Sequence, residues 1–137
     1  MAQIEVWYEG QLGTKCVHLQ SGDVIRTDAP VDNKGKGEKF SPTDLVGAAL
    51  GSCVLTIMGI QADALKVDIV GTKAEVTKEM STEPPRKIAK LKIVVSCPRT
   101  FEPHVIELLE KAAIKCPVHQ SLHPDIVQEF VFQWGPV

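Results

Sequence analysis

Residues 41–65 read SPTDLVGAALGSCVLTIMGIQADAL, and this stretch decides the fold. Ser41 can cap a helix, Pro42 suits the first helical position, and Asp44 completes a box-like cap. The pattern predicts a helix from Pro42 to about Leu65. Between Asp44 and Asp63 lie 18 uncharged residues, a length that touches the threshold for crossing a bilayer. Only eight of them are Leu, Val, Ile or Met, and Gly47, Gly51, Ser52, Thr56, Gly59 and Gln61 interrupt the run. No flanking apolar span or aromatic belt accompanies it. We therefore read a central helix buried in a globular fold, with no membrane partner. Gly47 and Gly51 sit one turn apart, so a neighbouring element can approach that face closely.

Working outward, residues 3–8, 14–20 and 23–29 are short and β-rich, and Ser21-Gly22 supplies a turn signal. They predict a three-stranded antiparallel meander, with Ile4, Val6 and Tyr8 on one face. Residues 30–40 (PVDNKGKGEKF) read as a surface loop. Residues 67–78 and 86–96 alternate and predict a hairpin with a long tip broken by Glu83-Pro84-Pro85. Ala89, Leu91, Ile93 and Val95 face inward in the second arm. Pro103 opens a second helix with Val105, Leu108, Leu109 and Ala112 on one stripe. Cys116 to Leu122 form a short helix or turn, and residues 126–134 a last strand. The order βββ-α-ββ-α-β predicts an α+β fold in one domain over residues 1–137.

The bulk properties narrow the function. The chain has 137 residues, 44% hydrophobic and 23% charged, with 15 Lys and Arg against 17 Asp and Glu. That is an ordinary globular composition with a net charge of −2, which builds no positive field to hold a nucleic acid. The start MAQIEVWYEG has no basic stretch followed by an apolar one, so no signal peptide is read and the cytosol is the expected compartment. In that compartment the four cysteines, Cys16, Cys53, Cys97 and Cys116, are either inert thiols or redox chemistry.

Cys16 and Cys97 read as ordinary strand cysteines, and His18 and His104 as solvated. Cys53 lies mid-helix beside Ala49, Leu50, Thr56 and Ile57, and read alone it is inert core. Cys116 directly precedes Pro117, where unpaired backbone N–H groups at the start of a helical turn favour a thiolate. Zinc is the rival reading, since Cys116, His119 and His123 recur at helical spacing and Cys53 could complete four ligands. No CxxC pair supports it and Pro124 interrupts the turn, so neither a metal nor an organic cofactor is expected.

Taken together, Ser41-Pro42-Thr43-Asp44-Leu45, Ala48-Ala49, Cys53 and Cys116-Pro117-Val118 resemble the OsmC/Ohr family of osmotically inducible and organic hydroperoxide resistance proteins. The resemblance covers nearly the whole chain. It implies an intertwined homodimer, with antiparallel sheets packed on the long central helix. It also implies a peroxidatic role for Cys53 and a resolving role for Cys116. In that chemistry Cys53 attacks an organic hydroperoxide, Cys116 closes a disulfide, and a dithiol such as lipoamide reduces it.

Peroxidases of this family add an arginine in the loop before the helix and a glutamate directly after the helix-starting proline. The matched positions here are Asn33 and Thr43. Arg26, Lys34, Lys36 and Asp44 are the neighbouring candidates to support the site, with His119 beside Cys116. The chain thus resembles a divergent, OsmC-like branch. Two functions follow as expectations: a thiol peroxidase for organic hydroperoxides, or a non-catalytic redox sensor or apolar-ligand binder.

Overall fold

The computed structural model describes residues 1–136. In chain order the elements are β1 (Ile4–Gly10), β2 (Gly13–His18), β3 (Val24–Asp28), a 3-10 turn (Val31–Asn33), α1 (Pro42–Leu65), β4 (Lys73–Met80), β5 (Ile88–Cys97), α2 (Pro103–Ala113), α3 (Pro117–Ser121) and β6 (Val127–Trp134). The chain divides into two compact units, Met1–Val46 and Gly47–Val137.

The first unit is the expected meander, β1-β2-β3. Val6 pairs with Cys16 across β1 and β2, and Cys16 with Ile25 across β2 and β3. Ile4, Val6, Trp7 and Tyr8 of β1 are all exposed by more than half. The segment 30–40 is tied back to β3 by main-chain bonds from Asp28 N–H to Phe40 O (3.0 Å) and from Gly37 N–H to Ala29 O (3.2 Å). Glu38 N–H adds a bond to the buried carboxylate of Asp28 at 3.2 Å. Gly35 is required at the centre of this fold-back, since a Cβ there would lie 1.8 Å from the Ala29 carbonyl oxygen.

The helix starts as its sequence dictates. Ser41 Oγ accepts from Asp44 N–H at 3.0 Å, and Asp44 Oδ2 accepts from Ser41 N–H at 3.0 Å. This reciprocal pair satisfies two backbone donors at the helix start.

In the second unit the sheet order is β4-β5-β6. β4 and β5 form the antiparallel hairpin, whereas β6 runs parallel to β5, from Lys90 opposite Val127 to Cys97 opposite Trp134. The expectation of wholly antiparallel sheets is corrected here. A parallel neighbour requires a crossover, and α2 and α3 provide it between β5 and β6. β4 also begins at Lys73, later than the alternation from residue 67 suggested. Asp68 Oδ1 takes the Val70 N–H at 2.8 Å and Gly71 adopts φ +93°, so this segment turns before it pairs.

The core comprises Leu50, Val54, Met58 and Ala62 of α1, Leu91, Ile93 and Val95 of β5, and Leu109 and Ala113 of α2, all buried. α1 lays one stripe on the hairpin: Gly47 faces Val76 and Leu91, and Gly51 faces Val76 and Ala74. A Cβ at Gly51 would stand 3.1 Å from Val76 Cγ2, so the two glycines admit the sheet's branched side chains. Ala48, Ala49, Ser52, Thr56 and Ile60 are exposed, although nothing from residue 45 to 62 is charged. The buried central helix expected from sequence is thus buried along one face only within a single chain.

Candidate functional site

The mid-helix cysteine and the cysteine before α3 meet in the second unit. Cys53 is half-buried on α1, between the buried Leu50 and Val54. Cys116 is fully buried and stands as the N-cap of α3, in extended backbone (φ −64°, ψ 141°), with Pro117 next in the first helical position. Proline there prevents α2 from running on, so the chain breaks after Ala113 and restarts with the sulfur at the new N-terminus. The Cys116 sulfur accepts the His119 N–H at 3.2 Å.

Both thiols are free, and Cys53 lies near enough to Cys116 to act on its protonation. Burial pushes the Cys116 thiol up from its usual value of 9.0, and so does the neighbouring Cys53 thiol. The N–H groups of His119 and Val118 work in the opposite direction. The upward influences prevail. The favourable helix start read from the sequence is present, but desolvation outweighs it. Cys116 is therefore a protonated, enclosed sulfur at neutral pH, while Cys53 is the less buried residue of the two.

Behind Cys116 lies a polar clamp. Gln128 of β6 donates from Nε2 to the His119 main-chain oxygen at 3.2 Å, and its Oε1 bonds the His119 Nδ1. The His119 ring also stands edge-on to Phe130, centroids 5.1 Å apart at 88°. The bond to the main-chain oxygen requires an NH2 there, which orients the amide. Its oxygen then faces Nδ1 and can only accept, so Nδ1 carries the proton.

The other candidates read from sequence lie in the first unit. Arg26 Nε pairs with Glu9 at 3.4 Å on the surface, and Lys36 Nζ donates to Gln11 Oε1 at 2.8 Å. Asn33 ends the 3-10 turn and Lys34 follows in left-handed backbone at φ 69°, both exposed. Thr43 Oγ1 bonds Ser41 Oγ at 3.2 Å, and Asp44 serves the helix cap. The zinc alternative finds no constellation, for no cluster of three or more ligand-type side chains is positioned for a metal among the described residues. His119 turns to Gln128, and His123 Nδ1 accepts the Asp125 N–H at 3.0 Å.

Gln128 is the residue that sequence reasoning missed. A signal existed: it shares strand parity with Phe130, Phe132 and Trp134, a polar side chain on an otherwise aromatic face.

Comparison with known proteins follows the same lines. A family model described as OsmC-like protein matches residues 35–130. A crystal structure from Psychrobacter arcticus, named for an osmotic stress induced and detoxification response protein, is similar at 45% identity over 96% of each chain, with a TM-score of 0.92. An OsmC-like protein from Mycoplasma pneumoniae shares the fold at 16% identity, covering 98% of this chain and 97% of its own, with a TM-score of 0.81. An organic hydroperoxide resistance protein OsmC from Legionella pneumophila does so at 12% identity, 97% and 98% coverage and a TM-score of 0.75. Comparison with curated proteins gives no match. With the family model spanning most of the chain and a close structural relative agreeing along its length, the protein belongs to the OsmC-like family.

Proposed function

We propose that the protein is a thiol peroxidase that reduces organic hydroperoxides with Cys53 and Cys116. The observation that carries this reading is the juxtaposition of two free thiols, a half-buried Cys53 close enough to a buried, protonated Cys116 to raise its pKa. Residues 63 positions apart in sequence are thereby poised for one disulfide. The structural relatives named for organic hydroperoxide resistance support the substrate class.

In the first step the Cys53 thiolate attacks the hydroperoxide. A sulfur–oxygen bond forms, the O–O bond breaks, and the alkoxide leaves to take a proton from solvent. Cys53 is now a sulfenic acid. In the second step the Cys116 sulfur attacks the Cys53 sulfur, the disulfide forms, and the hydroxyl departs as water with the proton that Cys116 had kept. An external dithiol of the lipoamide class returns both thiols and is itself oxidised to a disulfide. Apolar neighbours on α1, Leu50 and Ile57 among them, favour an alkyl hydroperoxide over hydrogen peroxide.

The working form is a homodimer on this reading. Ile4, Val6, Trp7 and Tyr8 on β1 are exposed apolar side chains, as is Ile60 on α1, and a second copy would cover them. A cytosolic setting supplies the reducing power that the cycle requires.

The second reading, a sensor without turnover, draws on Asn33 and Thr43, which stand where the family's peroxidases place arginine and glutamate. Stopped-flow oxidation of the reduced protein decides between them. The peroxidase reading expects thiol loss with cumene hydroperoxide well above the rate of free cysteine, and slower loss with hydrogen peroxide. A rate no greater than that of free cysteine would establish the sensor or ligand-binding reading instead.

A further inference from the structure

The clamp behind Cys116 has no part in the two-cysteine scheme, yet it holds the residue that touches the second sulfur. We propose that Gln128 is a positioning residue for disulfide closure: by gripping both the ring and the main chain of His119, it fixes the N–H that rests on the Cys116 sulfur. The proposal rests on the cysteine-pair reading above and concerns only its second step.

α3 is a helix of five residues, too short to hold its shape from its own hydrogen bonds. Its geometry has to come from outside. Gln128 reaches it from β6, a strand paired along its length with β5. The two Gln128 bonds hold opposite ends of His119, so the residue can neither rotate its ring away nor slide along the strand. The His119 N–H, 3.2 Å from the Cys116 sulfur, inherits that rigidity. The group eases the negative charge that develops on Cys116 as it gives up its proton to attack its neighbour. The titratable group facing the Cys116 sulfur is the Cys53 thiol of α1. His119 presents its main-chain N–H to the sulfur and its ring to β6.

Ellman's reagent separates the steps without any peroxide. In the full-length chain carrying C16S and C97A, Cys53 attacks the reagent's disulfide and releases one thionitrobenzoate. Cys116 then attacks the Cys53 sulfur of the mixed disulfide and expels the second. Gln128→Leu is expected to slow the second release by about tenfold or more, since small misplacements of a reacting group carry penalties of that order. The first release should change by less than twofold. The pH at which the second phase reaches half its maximal rate should move up, because a lowering influence on Cys116 is lost. His119→Ala, which removes the ring bond and leaves the main-chain one, should slow the second phase less, and it carries the test where Gln128→Leu fails to fold. The double variant should be no slower than Gln128→Leu, because both act through one clamp. An unchanged second phase, equal slowing of both phases, or additive effects in the double variant overturns the proposal while leaving the cysteine pair intact. A background chain that releases only one thionitrobenzoate overturns the pair and the proposal together.

Discussion

Ionising Cys116 should loosen the fold, and Cys116→Ser is the perturbation that shows it. In the unfolded chain this thiol titrates near its ordinary value of 9.0, whereas in the folded chain burial and Cys53 hold it higher. Between those two values the folded state binds the extra proton. Stability contributed by the neutral buried thiol is fully present below pH 9 and is lost as pH rises above it. One group can contribute a slope of at most about 1.4 kcal/mol per pH unit. Serine keeps an oxygen that accepts the His119 N–H as a helix cap, but it does not titrate. The assay is urea denaturation of the reduced protein from pH 7 to 10.5 at one fixed protomer concentration, because assembly would otherwise shift the midpoint. The difference between wild type and Cys116→Ser should be flat to about pH 8.5, then turn against wild type with a slope approaching that limit. A difference that stays flat to pH 10.5 would refute the argument that burial governs this sulfur.

Other expectations are more direct. Cys53→Ser should abolish hydroperoxide reduction, and Cys116→Ser should allow one turnover and accumulate sulfenic acid on Cys53, detectable by dimedone labelling. Gly35→Ala should destabilise the chain by about 2 kcal/mol in thermal or urea unfolding, because its Cβ collides with the Ala29 carbonyl rather than with a movable side chain. Leu50→Ala, at a fully buried site on α1, should lose about 3 kcal/mol. Sedimentation at micromolar concentration should find a dimer; a stable folded monomer would contradict the proposed assembly.

Local rules made most of the elements legible. α1 runs from Pro42 to Leu65 because Ser41 and Asp44 cap it and nothing inside breaks it. The alternation in residues 86–96 placed Leu91, Ile93 and Val95 in the core. Readings failed where a local turn overrode the alternation, or where the deciding interaction was not local. The segment from Val67 to Thr72 alternates like a strand, yet the Asp68 side chain and Gly71 backbone turn it first. The parallel pairing of β6 depends on which strand it returns to, which no short window contains. At the site, helical spacing alone made Cys53 look like inert core. Its link to Cys116 was readable only through the family resemblance; the structure adds that Cys53 lies near enough to act on the Cys116 thiol. Gln128 escaped notice because its partner His119 is nine residues earlier, across a turn.

The central claim is that Cys53 and Cys116 form one redox pair. It is tested most directly by treating the fully reduced protein with one equivalent of cumene hydroperoxide per chain, blocking the remaining thiols, and mapping the peptides by mass spectrometry. The account predicts a single Cys53–Cys116 disulfide, with Cys16 and Cys97 recovered as blocked thiols. A Cys16–Cys97 bridge, or four blocked thiols and unconsumed hydroperoxide, would contradict it.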